Sequence, residues 1–126
     1  SAKKDWKGCM NSTVAVLKTS PATVLDDYGR LMRMAGYRGF IDIGKDTLIK
    51  LNLSWTKFYP ACSSQPWQLD GVLRTLSQDG FDRKKIIPVE NKTVVTRTRK
   101  GAENNLWLTV LRNHQLEFVP LTEVNW

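Results

Sequence analysis

The chain has 126 residues, of which 41% are hydrophobic and 25% charged, and this ordinary globular composition excludes wholesale disorder. No apolar run approaches the roughly 18 residues that cross a bilayer, so a membrane span is excluded and no membrane partner is expected. Lys and Arg outnumber Asp and Glu by 19 to 12, and the formal net charge of +7 favours anionic partners. The two cysteines, Cys9 and Cys62, lack the CxxC spacing of a cluster, so no metal site is predicted and the cofactor is unknown.

The first third of the chain predicts a strand followed by a helix. Residues 1–12 are a short basic lead-in, and we expect a single α/β domain over residues 13–126. Within it, residues 13–18 form a β-branched apolar run, which is typical of a strand buried on both faces. Ser20 and Pro21 then predict the N-cap and the first residue of a helix that stops before a glycine at position 36.

The same plan repeats along the rest of the chain. Strands are predicted over residues 47–53, 85–90 and 116–121, and helices follow Pro66 and the polar loop 91–103. Strand and helix alternate in units of about 30 to 40 residues, the rhythm of parallel βαβ units. We therefore predict an α/β three-layer sandwich around a mainly parallel sheet of about four strands. No glycine-rich phosphate motif occurs, which disfavours a dinucleotide or P-loop fold.

Two predicted loops carry the polar residues from which a site could be built. Ligands of open parallel sheets bind outside the carboxyl ends of the strands, where these loops lie. The candidate ligand-binding residues are Asn52, Ser63 and Ser64 in or just before the first loop, residues 54–65, and Asn91, Lys100 and Asn104 in or after the second loop, residues 91–103. Lys50 lies on one predicted buried strand and Glu90 ends the next. They are the candidate catalytic acid/base pair, because they are the ionisable pair expected to be most perturbed by its environment. If their strands are adjacent, the two could equally form a structural ion pair.

Each of the other polar and aromatic features has a structural alternative. Ser63 or Ser64 could simply cap the next helix, and the cluster Arg97, Arg99 and Lys100 could be a solvated loop or an anion clamp. Cys62 is interpreted as a packing thiol, because the single histidine, His114, is predicted at the far end of the third helix as a C-terminal cation. Trp67 and Trp107 are expected in the core, and Trp55 is expected to line a pocket.

Several of these stretches resemble a known family. Residues 47–55, 59–72, 89–96 and 100–105 resemble the amino-terminal part of the bacterial and archaeal domain-of-unknown-function family numbered 362. The family pattern is a strand ending in Ile-Lys-Pro-Asn, a loop rich in Ser or Thr, and a helix leading to Gly; here Leu51 stands where the proline is usual. The resemblance implies a mixed α/β fold, a cytoplasmic setting and redox or metal-linked work, since some relatives are joined to iron–sulfur segments. Family domains are longer, so we expect the chain to be the amino-terminal part of a larger domain.

The sequence supports three hypotheses about function, and whether the protein is an enzyme stays open. The first is binding of a small anionic ligand, with Lys50 and Asn52 as the floor of the site and the serines and the second loop as its walls. The second is a basic nucleic-acid-binding module that uses the +7 charge. The third is a scaffold half, inactive until it pairs with a downstream half-domain or a second copy as a homo-oligomer.

Overall fold

The computed structural model describes residues 13–125, which form a mixed α/β fold around one sheet. The elements in chain order are α1 Val24–Met34, β1 Thr47–Lys50, α2 Pro66–Gln78, β2 Ile86–Glu90, α3 Thr98–Asn104, α4 Trp107–Asn113 and β3 Val119–Pro120. All three strands are parallel, in the order β1-β2-β3, so the α/β class with a parallel sheet is confirmed. No helix within these residues is both long and apolar enough to cross a membrane. The basic lead-in lies outside the described residues.

The register of the sheet decides which strand residues meet the helices. β1 and β2 pair from Thr47 opposite Ile86 to Lys50 opposite Val89. The side of β1 that carries Ile49 packs against the core. Leu48, on the opposite side, is 66% exposed. Because strand order equals chain order and βαβ crossovers are right-handed, successive helices fall on the same face of the sheet.

The strand predicted over residues 13–18 does not form in this structure. Residues 13–20 have no regular secondary structure, and Val14 and Val16 are 82% and 81% exposed. A β-branched pattern shows that a segment suits a sheet, but the strand forms only when a neighbouring strand supplies its hydrogen bonds. No such neighbour pairs with the segment within the described residues, so the sheet has three strands rather than four.

Two other predicted strands are shorter than expected. The strand predicted over residues 47–53 ends at Lys50. The N–H groups of Asn52 and Leu53 donate to the side chains of Ser64 and Glu90 and not to backbone carbonyls of a neighbouring strand. The last strand spans only Val119–Pro120, where the proline has no N–H to donate to a ladder.

The helix boundaries also differ from those expected. The N-cap of α1 is Thr23, because the carbonyl of Ser20 accepts the N–H groups of Thr23 and Val24 in a preceding turn. The single third helix is in fact two, because Leu106 adopts a left-handed φ of 63° between α3 and α4. Gly36 and Gly80 both have positive φ and follow the ends of α1 and α2, as their positions predict.

The core lies between the sheet and helices α2 and α4. Its largest member is Trp107, which is fully buried and donates its indole N–H to the carbonyl of Ser64 at 2.7 Å. Leu73 and Leu111 pack in the same cluster. The prediction for Trp107 is thus confirmed, whereas that for Trp67 is wrong. Trp67 is 42% exposed at the first turn of α2, where its ring meets that of Tyr28 and does not enter the core.

Helices α1 and α2 approach closely through small residues and are clamped at one end. A Cβ added at Gly71 would lie 2.8 Å from the Cβ of Tyr28. At the other end, the Asp79 carboxylate accepts Arg33 Nη2 at 2.8 Å and the Tyr37 hydroxyl at 2.6 Å. The hydrogen bond from Arg33, followed by that from Tyr37, lowers the pKa of Asp79. Burial, and then the bond to Asp79, raises the pKa of Tyr37 to about 12.

The close approach at Gly71 predicts a large cost for a single methyl group. Gly71→Ala places its Cβ against the Cβ and ring of Tyr28, atoms that cannot move without shifting α1. We expect a loss of about 1–3 kcal/mol in the free energy of unfolding, measured by urea titration, despite the higher helix propensity of alanine. Gly39→Ala is the control, because nothing lies within 4 Å of its added Cβ. An equal effect of the two substitutions would contradict the close packing of α1 on α2.

The Asp79 clamp predicts an acid-dependent part of the stability. Since the pKa of Asp79 is held below its ordinary value of 3.8, the ionised carboxylate stabilises the fold above that pH. This contribution is lost as the pH falls below about 4 towards the lower folded-state pKa. Asp79→Asn should therefore be less stable than wild type at pH 7, and the difference should narrow in acid. Urea titrations from pH 7 to pH 2 check this, with the exposed Asp46→Asn as control; a difference that does not depend on pH would argue against the clamp.

Candidate functional site

The carboxyl ends of β1 and β2 bring Lys50 and Glu90 together. Lys50 Nζ lies 3.1 Å from Glu90 Oε1 and also donates to Asn52 Oδ1 at 3.1 Å. The ion pair follows from the parallel pairing of β1 with β2, which brings residues 50 and 90 to the same edge of the sheet. Most of the Lys50 side chain is exposed, so its ammonium group is still open to solvent.

The Glu90 carboxylate is buried and holds the two loops of this edge. Oε2 accepts the backbone N–H of Leu53 at 2.7 Å, and Oε1 accepts the backbone N–H of Asn91 at 2.7 Å. Hydrogen bonds from N–H groups to a carboxylate are strong, and together with Lys50 they offset the cost of burying the charge. The geometry therefore gives Glu90 a structural task at the base of both loops.

The two serines of the first loop fold that loop back onto the end of β1. Ser64 Oγ accepts the N–H of Asn52 at 3.0 Å, and Ser63 Oγ accepts the N–H of Ser54 at 3.2 Å. Neither serine caps α2. The N-cap is Gln65, which forms a reciprocal capping box with Gln68. The serine hydroxyls thus shape the loop, and the start of α2 is closed by glutamine side chains.

A cavity of about 370 Å³ lies between the first loop and the second, and we call it the basic cavity. It is lined by Thr56, Lys57, Lys92, Val94, Val95, Thr96, Arg97 and Lys100. Thr56 joins its two sides, because its Oγ1 accepts the N–H of Arg97 at 2.9 Å and its carbonyl accepts Asn104 Nδ2 at 2.8 Å. No carboxylate is among the lining residues, although Lys100 pairs with Glu103 at 2.8 Å outside the wall.

The predicted site residues therefore divide into two groups. Asn52, Ser64 and Asn91 surround the Lys50–Glu90 pair, while Lys100 lines the basic cavity. The remaining two predicted residues support backbone: Asn104 holds the Thr56 carbonyl, and Ser63 holds the N–H of Ser54. Arg99 is not part of the cavity, because it pairs with Glu123.

Sequence reasoning missed Thr56 and Lys57. Both follow Trp55, which the sequence indicates as a pocket residue, but nothing in their spacing indicates that they face the second loop. Only the two hydrogen bonds of Thr56 reveal it. Arg97 and Lys100 belong to the basic cluster that the sequence marks, so half of the cationic wall could be found from composition alone.

The remaining candidates for chemistry lie away from this edge or stand alone. Cys62 is an exposed free thiol. His114 Nε2 lies 2.6 Å from Asp70 Oδ1, at the end of α4 where the sequence predicts it. Within residues 13–125, no three His, Cys, Asp or Glu side chains lie together in a way that could hold a metal ion.

A second cavity lies between α1 and α2 and has a different character. It measures about 430 Å³ and is lined by Thr19, Ser20, Pro21, Val24 and Trp67. Its walls carry no cation and no ionisable group. Although it is somewhat larger, it offers an anion no partner, so the basic cavity is the better candidate for a site.

Glu90→Ala should destabilise the fold far more than removal of its partner. It leaves the N–H groups of Leu53 and Asn91 without an acceptor, which predicts a loss of about 2–4 kcal/mol in the free energy of unfolding. Lys50→Met removes the ion pair and the hydrogen bond to Asn52, but it leaves both backbone N–H donors of Glu90 in place. Since the lysine is mostly exposed, the loss should be smaller, about 1 kcal/mol. Urea unfolding of both variants, with exposed Glu117→Ala as control, measures the difference. Equal losses for Glu90→Ala and Lys50→Met would refute the structural role of the carboxylate.

Comparison with known proteins gives no independent identification. No family model matches the chain, and neither a curated protein nor a solved structure matches it significantly. The resemblance to the domain-of-unknown-function family numbered 362 therefore stays a prediction based on its short motifs. The geometry of the sheet edge is the basis on which function can be argued.

Proposed function

We propose that this α/β domain binds a small anionic ligand in the basic cavity at the carboxyl edge of its sheet. The observation that carries the proposal is the convergence of Lys57, Lys92, Arg97 and Lys100 on one cavity without a lining carboxylate. Within residues 13–125, the first three of these make no ion pair, so their charge is uncompensated. A concave surface lined by one sign of charge concentrates counter-ions.

The hydrogen-bonding chemistry of the cavity also fits an oxyanion. Arg97 offers a planar fork of N–H donors, and the lysines offer compact ammonium groups. All four side chains are exposed, so folding leaves their ammonium and guanidinium groups hydrated and accessible to a ligand. A carboxylate, phosphate or sulfate group would satisfy this set of donors.

The Lys50–Glu90 cluster has a supporting part in this proposal. Lys50, with Asn52 as its neighbour, would form the floor beside the cavity, and Lys50 and Glu90 remain the acid/base hypothesis if the protein is an enzyme. The motif Lys50-Leu51-Asn52 lies at the same edge of the sheet, which is why we retain the family-362 resemblance as a hypothesis. The cytoplasmic setting and the redox or metal-linked activity that this resemblance implies belong to the same hypothesis.

We also retain the four-strand, three-layer sandwich as part of the proposal. Residues 13–18 form no strand in this structure, and they would become the fourth strand only when a further strand pairs with them. The exposure of Val14 and Val16 supports this, because pairing and a further layer would cover these side chains.

A nucleic-acid interface is the second candidate, and one observation favours it. Trp55, Phe58 and Tyr59 are all exposed in the first loop, which supplies Lys57 to the cavity. Exposed aromatic rings beside cations are the combination that stacks bases and binds phosphates of single strands.

Titration with inorganic phosphate, followed by NMR chemical shifts, tests the proposal. The double variant Lys92→Gln/Arg97→Gln should weaken binding by about tenfold, because it removes two cations from the cavity. Arg83→Gln/Lys84→Gln is the matched control, since it makes the same change in net charge just before β2, at the opposite end of that strand. It should change Kd by less than about twofold.

Two results would count against phosphate binding at this site. Equal weakening in both double variants would show that only net charge matters. No detectable shift in the wild-type protein would reject the anion site itself. Retention on a single-stranded oligonucleotide, with affinity that falls steeply with salt, would favour the nucleic-acid candidate instead.

A further inference from the structure

The basic cavity has an apolar wall as well as a cationic one. Val94 and Val95 line it, and they are 103% and 60% exposed. Lys92 and Arg97 flank the two valines along the same loop. Exposed apolar residues are ordinary on a surface, but these two lie in the wall of a cationic cavity, where a ligand held by the cations would contact them.

The loop presents the two valines in a defined turn. Thr96 is buried, and its Oγ1 accepts the backbone N–H of Thr93 at 2.9 Å. The N–H of Thr96 in turn donates to the carbonyl of Thr93 at 3.4 Å. Val94 and Val95 are the two residues enclosed by this turn, so their exposure is built into the loop rather than caused by an open chain end.

The size of the cavity exceeds the needs of a simple inorganic anion. At about 370 Å³, it falls in the range of cavities that hold small organic ligands. A phosphate or carboxylate group on the cations would leave room for a further body of the ligand. The wall that remains for that body is the valine pair.

We propose that the ligand is an amphipathic organic anion, with a phosphate or carboxylate group on the cations and an apolar body on Val94 and Val95. This inference rests on the proposed anion-binding function and names the class of ligand for the same cavity. A soluble phosphate monoester and a lipid headgroup with its chain both have this chemistry. Burial of about 60 Å² of apolar surface on the valines corresponds to about a tenfold gain in affinity.

Two phosphate monoesters of equal charge test the apolar wall. Calorimetric titration should give phenyl phosphate a Kd about tenfold lower than that of methyl phosphate. Val94→Thr/Val95→Thr keeps the side-chain shape and replaces one methyl of each residue by a hydroxyl. It should reduce the preference to about twofold, because phenyl phosphate loses more affinity than methyl phosphate does.

A second valine pair supplies the matched control. Val14→Thr/Val16→Thr alters two valines that are 82% and 81% exposed and lie outside the cavity, so it should leave the phenyl preference intact. All four valines are solvent-exposed, so both double variants should remain folded, and far-UV circular dichroism checks this.

Each outcome separates the inference from the function on which it rests. Equal affinities for the two esters would overturn the apolar contact while leaving anion binding in place. Absence of binding by both would overturn the two together. Loss of the preference for phenyl phosphate in the Val14/Val16 variant would also overturn the proposed contact with Val94 and Val95, because it would show a general surface effect.

Vesicles distinguish the two sources of the same chemistry. A lipid headgroup is the source if the protein co-sediments with phosphatidylcholine vesicles that contain phosphatidic acid but not with phosphatidylcholine alone. The Val94/Val95 variant should then reduce this co-sedimentation. A phenyl preference without sedimentation would assign it to a soluble ester.

Discussion

The buried carboxylate of Glu90 is the interaction on which the rest of this sheet edge depends. It lies at the end of the central strand, where its two oxygens accept the N–H groups of Leu53 and Asn91, one after each strand, and its charge faces Lys50. A buried carboxylate is tolerated only when its lone pairs and charge are satisfied, so the loops and the strand end stabilise one another. The basic cavity is assembled further out on the same two loops, and its shape depends on this base.

The parts of the fold that follow from local pattern were predictable. The strand at residues 85–90 and the helix that opens at Pro66 have strong signals within their own sequence, and both are present. Residues 13–18 show the limit, because a strand needs a partner that a local pattern cannot name. Leu106 is a second case: the left-handed residue between α3 and α4 is a leucine and not the glycine or asparagine that usually adopts this conformation.

The candidate site likewise has features that the sequence predicts and features that it does not. The meeting of Lys50 with Glu90 follows from parallel topology, which the strand and helix rhythm indicates. The hydrogen bonds of Ser63 and Ser64 could not be predicted from topology, because a serine shortly before a proline is equally suited to capping a helix and to folding a loop. Lys57 enters the cavity only because Thr56 holds two distant backbone groups, and such long-range hydrogen bonds leave no periodic trace in sequence.

The order of the strands has a consequence for how the sheet can grow. Because strands follow one another in chain order, β1 and β3 are both edges within the described residues. The two edges are not equivalent, since β3 ends in Pro120, a residue that cannot donate to an incoming strand. The β1 edge has no proline and one charged residue, Lys50. A further strand would therefore be accepted on the β1 side, and the asymmetry directs any extension of the sheet away from β3.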